Sequence, residues 1–144
     1  METLGLVCLY GITSLDDIKT KHVQLLEIIA FGLLGIIYNI VYKPHSVASL
    51  LGGVAIGLFV MVFSVLSKEK IGKGDAYIIM VTGLYLGFMD TALLLWISSV
   101  MAFLAGIVII RKYDNREMEI PFVPFLLLGY LFMFAVENLR GVLL

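Results

Sequence analysis

Residues 44–67 run for 24 positions without an Asp, Glu, Lys or Arg. Five more such runs cover 3–15, 28–42, 76–89, 91–110 and 120–136, and together the six hold 103 of the 144 residues. A helix that crosses a bilayer needs roughly 20 mostly apolar residues, with a range of about 17–25. The third, fifth and sixth runs meet that as they stand, and the second does once Leu25, Leu26 and Glu27 are counted at its rim. The runs lack the alternation of a barrel strand, and open sheet edges do not lie in hydrocarbon. The pattern predicts an all-α polytopic membrane protein of about six transmembrane helices in one integral-membrane domain, 1–144, joined by short connections.

Composition removes other classes. Hydrophobic residues are 61 % and charged residues 15 %, with a mean hydropathy of +1.06. Soluble domains are about 45–50 % apolar and about 25 % charged. A formal charge of −1 gives no phosphate-binding surface, so no nucleic-acid partner is expected. The single cysteine, Cys8, excludes an internal disulfide and a cysteine zinc cluster, and His22 and His45 fall on opposite sides of the membrane. No metal and no cofactor are expected. The first run has no basic flank and no small-residue cleavage pattern, so it reads as a membrane helix and not a signal peptide.

The connections give an orientation. Those after the first, third and fifth helices carry Lys19, Lys21, Lys68, Lys70, Lys73, Arg111, Lys112 and Arg116; the others carry only Lys43 and Arg140. Basic residues concentrate in cytoplasmic loops, which puts both termini outside. Gly53 with Gly57, and Gly83 with Gly87, have the four-residue spacing that lets membrane helices approach closely. Asp90 falls in a short outward loop as a turn residue.

Two aspartates stand out. Asp17 ends the first helix, and Asp75 opens the fourth after Gly72-Lys73-Gly74. The topology puts both at the cytoplasmic ends of their helices, where an ionisable group is a functional candidate. Position alone leaves a second reading open: Asp75 as a helix cap and Asp17 as a loop residue paired with Lys19 or Lys21. Asp16 is a rival for Asp17, and Glu27 reads as a solvated helix end or as a partner of the pair. Two carboxyls a few ångströms apart share one proton. The ionised one can take a proton from water, and the protonated one can polarise a peptide carbonyl.

Gly72-Lys73-Gly74-Asp75 resembles the signature of the GxGD membrane aspartic peptidases. Asp17-Ile18-Lys19-Thr20 resembles the first aspartate motif of the type IV prepilin peptidases, and Ile120-Pro121-Phe122-Val123-Pro124-Phe125 resembles the segment that opens their last helix. The three occur in the family's order across the whole chain. The resemblance implies an aspartic endopeptidase with Asp17 and Asp75 as its dyad. Gly72, Lys73 and Gly74 would shape the loop beside it, and Pro121, Phe122, Pro124 and Phe125 would be structural or substrate-facing. It implies a membrane-inserted prepilin or pseudopilin substrate, as in type IV pilus assembly and secretion, whose basic leader is removed at the cytoplasmic face of the inner membrane. Asp16, Glu69, Glu117 and Glu119 would be counter-charges for that leader. The family's paired CxxC motifs have no counterpart here, so a peptidase-only member without the methyltransferase domain is expected. Val123 replaces the glycine of the last segment, and Ala76-Tyr77 follows the second aspartate where the family commonly has a hydrophobic residue and lysine. The alternatives are a related GxGD enzyme, such as a preflagellin peptidase, and a non-enzymatic scaffold or transporter subunit.

Overall fold

Lys43 is the one non-glycine residue with a left-handed backbone among those described, and it marks where the chain first stops being helical after α2. The computed structural model describes residues 2–20, 25–66, 73–113 and 121–143. They form α1 (Glu2–Thr20), α2 (Leu25–Tyr42), α3 (Val47–Leu66), α4 (Lys73–Tyr113) and α5 (Val123–Leu143), with no strand among them. Leu25–Tyr42, Val47–Leu66, Lys73–Ile109 and Val123–Gly141 are long and apolar enough to cross a membrane; Thr3–Asp16 is a shorter apolar helix. The chain is a multi-pass membrane protein. Its large exposed side chains, such as Phe59, Leu66, Trp96 and Phe103, are apolar, as lipid requires.

Local chemistry sets the helix ends. At Lys43 the N–H donates to the Asn39 carbonyl at 3.0 Å, and Pro44 follows, which cannot continue a helix. Ser46 caps α3: its Oγ accepts the Ser49 N–H at 3.3 Å. α5 opens with Pro124 in its first turn, where no N–H is needed, and the Phe125 and Leu126 amides donate to the Phe122 carbonyl.

The expected fourth and fifth helices are both present as the two halves of α4, and the break between them falls earlier than predicted. Asp90 is helical, not a turn residue. The non-helical residue is Gly87, with φ 72° and ψ −168°, a region open essentially to glycine alone. The groups freed there are met by side chains from neighbouring elements. The Asn39 amide donates to the Leu84 carbonyl, and His45 Nε2 donates to the Tyr85 carbonyl at 2.9 Å. The Phe88 N–H donates to Ser49 Oγ at 3.1 Å. A broken helix in lipid is tolerated only when its freed groups are satisfied in this way. A methyl group at Gly87 would press on Ser49 Oγ. Gly87→Ala is expected to lower stability by about 1–3 kcal/mol, read as a shifted unfolding midpoint in a detergent titration.

The two halves of α4, residues 73–86 and 88–113, run in opposite directions. The first half lies antiparallel to α3, pairing Gly57 with Met80 and Gly53 with Gly83, and antiparallel to α1. The second half lies antiparallel to α5, where Gly129 meets Ser98 and Leu94. α5 is itself antiparallel to α1: Tyr10 meets Tyr130 edge-on, and Thr3 shares a cavity wall with Glu137 and Gly141. α4 therefore contacts every other helix, most extensively α3. The glycine spacing read from the sequence does bring backbones together at Gly53, Gly57 and Gly83, whereas Gly87 supplies the reversal.

Candidate active site

Three helices meet at Tyr10, which is completely buried. Its hydroxyl lies 2.7 Å from Thr82 Oγ1. Thr82 spends its own hydroxyl proton on the Ile78 carbonyl at 2.8 Å, so Tyr10 is the donor of the pair. The Tyr10 ring stands edge-on to Tyr130, centroids 5.8 Å apart and planes at 62°. One side chain of α1 thus touches α4 and α5 at one level. Towards the other end, the Tyr85 ring lies between Gly5 of α1 and Gly35 of α2, and its hydroxyl donates to the Phe31 carbonyl at 2.9 Å. The pairs 5–85 and 10–82 fix α1 and the first half of α4 as antiparallel.

This register bears on the aspartates. Asp17 lies seven residues beyond Tyr10, and Asp75 lies seven residues before Thr82. Seven residues are about 10.5 Å of rise and about 20° short of two full turns. On antiparallel helices both steps go in one direction, so positions 17 and 75 share a level. Each also lies on the face that carries Tyr10 or Thr82. The same step back from Tyr130 reaches Val123, which is wholly buried. Positions 17, 75 and 123, one from each motif, thus share one end of the bundle.

The individual residues are placed as follows. Asp17 is in the last turn of α1, and its side chain lies outside the described residues. Gly72, Glu69, Glu117 and Glu119 also lie outside them. Lys73 is exposed, and Gly74 and Asp75 are half-buried in the first turn of α4. Asp75 follows helical Lys73 and Gly74, inside the N-cap position expected of a simple cap, where a negative charge still meets the positive helix end. Pro121, Phe122, Pro124 and Phe125 are half-buried where α5 begins.

Asp16 engages a different neighbour. Its carboxyl lies beside that of Glu27 in α2. Glu27 is half-buried in the first turn of α2, beside Asp16. Consecutive helical residues are about 100° apart, so a residue at 16 that faces α2 leaves 17 to the Tyr10 face.

A cavity of about 760 Å³ lies at the opposite end, lined by Thr3, Leu86, Asp90, Tyr130, Glu137 and Arg140 among others. It is remote from positions 17 and 75, which sit at the other ends of α1 and of the first half of α4. Tyr10, Thr82 and Tyr130 are the residues that sequence reasoning passed over. Their signal is the seven-residue offset from each motif, which has meaning only once the three helices are known to meet.

The chain matches the type IV leader peptidase family over residues 4–109. It is 31 % identical over 145 residues, 94 % of its length, to a prepilin leader peptidase/N-methyltransferase of Legionella pneumophila. It spans about half the length of that relative. No solved structure matches. With most of its helical part covered by the family match, the chain belongs to the type IV leader peptidase family.

Proposed function

We propose that this protein is an aspartic endopeptidase that removes the basic leader of a membrane-inserted prepilin or pseudopilin, with Asp17 and Asp75 as its dyad. The observation that carries the reading is the common register at Tyr10, which sets positions 17 and 75 at one level on facing helix surfaces. Family membership supports protease activity, and the relative's name supplies the prepilin class of substrate.

In this reading the chain is a single domain that crosses the inner membrane six times, the two halves of α4 being separate passes, with both ends outside. The motif-bearing end then faces the cytoplasm. An extended substrate backbone lies beside the bare Gly72-Lys73-Gly74 segment. One aspartate, ionised, takes a proton from a water, which attacks the scissile carbonyl. The other, protonated, hydrogen-bonds the carbonyl oxygen. A proton then passes to the leaving amine, leaving the dyad singly protonated for the next turn. The pair titrates as a unit.

The test is co-expression with a prepilin of known leader, scored by mass. Wild type should release the leader; an intact substrate beside correctly inserted protein would sink the proposal. A second outcome concerns the acidic loop. Glu117→Gln with Glu119→Gln should raise the KM for a basic leader about three- to tenfold, an effect weakened by salt, as for loosely held solvent-exposed pairs. An unchanged KM would remove these residues from leader binding.

A further inference from the structure

The reading above needs α1 to hold its place against α4, yet these two helices touch less than α1 touches α2 or α5. Glycine contacts of the kind that lock α3 onto α4 are missing between α1 and the first half of α4 among the described residues. What joins them is side chains: Leu6 and Leu9 in one apolar cluster with Ile78 and Ile79, the Tyr10–Thr82 hydrogen bond, and the Tyr85 ring against Gly5. Of the last two, Tyr10 is the nearer to the aspartates, and it alone also touches α5.

We propose that Tyr10 is a positioning residue for Asp17 and Asp75, holding the mutual register of α1, α4 and α5 through its hydrogen bond to Thr82 and its edge contact with Tyr130. The inference rests on the aspartic reading. Tyr10 touches neither aspartate; it acts through two helical turns on each side. Those turns are stiff, so an axial or rotational error at Tyr10 arrives at positions 17 and 75 undiminished. A helix that slips by one residue moves about 1.5 Å and about 100° at both ends. Misplacement by about 1 Å in a catalytic pair can cost about 100-fold in rate. The bond is directional, because Thr82 has already given its proton to Ile78 and can only accept from Tyr10. Phenylalanine at position 10 keeps the ring contact and removes the lock. Valine at 82 keeps the shape and removes the acceptor, while serine at 82 keeps the acceptor.

Two readouts test this, one of which needs no activity. In a Cys8→Ser background, Asp17→Cys combined with Asp75→Cys is treated with a short bifunctional thiol reagent in native membranes, and bridged protein is separated from doubly capped protein by mass. Bridging is expected with Tyr10 intact. It should fall at least about threefold in Tyr10→Phe and in Thr82→Val and return in Thr82→Ser. In the protein with both aspartates, Tyr10→Phe should lower kcat for leader removal about 10- to 100-fold with KM within about twofold, and Thr82→Ser should retain most of the wild-type kcat. Bridging and kcat both unchanged in Tyr10→Phe and in Thr82→Val would overturn the inference while leaving the dyad in place. Absence of bridging with Tyr10 intact would overturn the facing of positions 17 and 75, and the inference with it. Loss of kcat with unchanged bridging would also overturn it, since the register would then not be what Tyr10 holds. Thr82→Val keeps the test open should Tyr10→Phe accumulate poorly.

Discussion

Asp17→Asn and Asp75→Asn will each stop leader removal, with kcat falling by about 10²–10⁴-fold or below detection while the protein still inserts in the membrane. Asparagine keeps the size and hydrogen-bonding shape of the side chain but cannot take a proton from water or carry one to the leaving amine. The double variant should be no worse than either single one, because the two act as a unit. In the wild type, kcat/KM should rise and fall with pH as a bell. The upper limb marks loss of the shared proton, and the lower limb marks protonation of both carboxyls. The outcome that sinks this assignment is cleavage by Asp17→Asn at the wild-type rate. In that case the neighbouring Asp16 and Glu27 become the next candidates, and Glu27→Gln is the variant to assay. If both Asn variants cut normally, the aspartic reading itself fails.

The largest expected effect on stability is at the crossing of α3 and α4. A methyl group at Gly53 would come 2.7 Å from the Gly83 carbonyl oxygen, and one at Gly83 would collide with the Gly53 backbone. The obstacle in both cases is main chain, which cannot rotate aside. Gly83→Ala should therefore cost at least about 1–3 kcal/mol, the usual range for overpacking, and Gly83→Leu should prevent folding. Gly52→Ala, one residue along, meets only the Phe88 side chain at 3.0 Å and should be milder. Unfolding midpoints in mixed detergent micelles give the order: Gly52→Ala least affected, Gly53→Ala and Gly83→Ala most. Because 53 and 83 press on each other, their double variant should be less than additive. Equal midpoints for all three variants would show that the helices separate freely at this crossing.

Charge-free runs make the helices legible, because the bilayer leaves few alternatives for the backbone. α2, α3 and α5 fall close to the runs that predict them. The boundary between the fourth and fifth runs was misread for a definable reason. Asp90 looked like the end of an apolar segment, but a charge interrupts hydropathy without interrupting a helix. The break belongs to Gly87, and nothing in its neighbours' composition marks it. The polar side chains that satisfy it, Asn39, His45 and Ser49, come from elements distant in sequence. Glycine pairing was legible from spacing at Gly53, Gly57 and Gly83. Asp17 and Asp75 were legible as chemistry out of place at helix ends, and their motifs point to the family. Their shared depth was legible from the topology, but the helix register that matches position 17 to position 75 was not. It depends on Tyr10 meeting Thr82 across 72 positions of chain, and tyrosines in apolar runs give no sign of which will be buried.

A turn made by one glycine has no slack. The first half of α4 is clamped at that end by Asn39, His45 and Ser49, while its other end, with Asp75, runs into the segment that leads back to α3. Such a rod cannot piston along its axis without dragging its second half and α5. It can swing. Asp75 stands about 18 Å from Gly87, so a tilt of about 5° of the first half of α4 together with α3 carries position 75 about 1.5 Å sideways and leaves the clamped end at rest. In the proposed reading, any approach of positions 17 and 75 to each other is an arc pivoted at Gly87, and a substitution at that pivot would be felt at position 75.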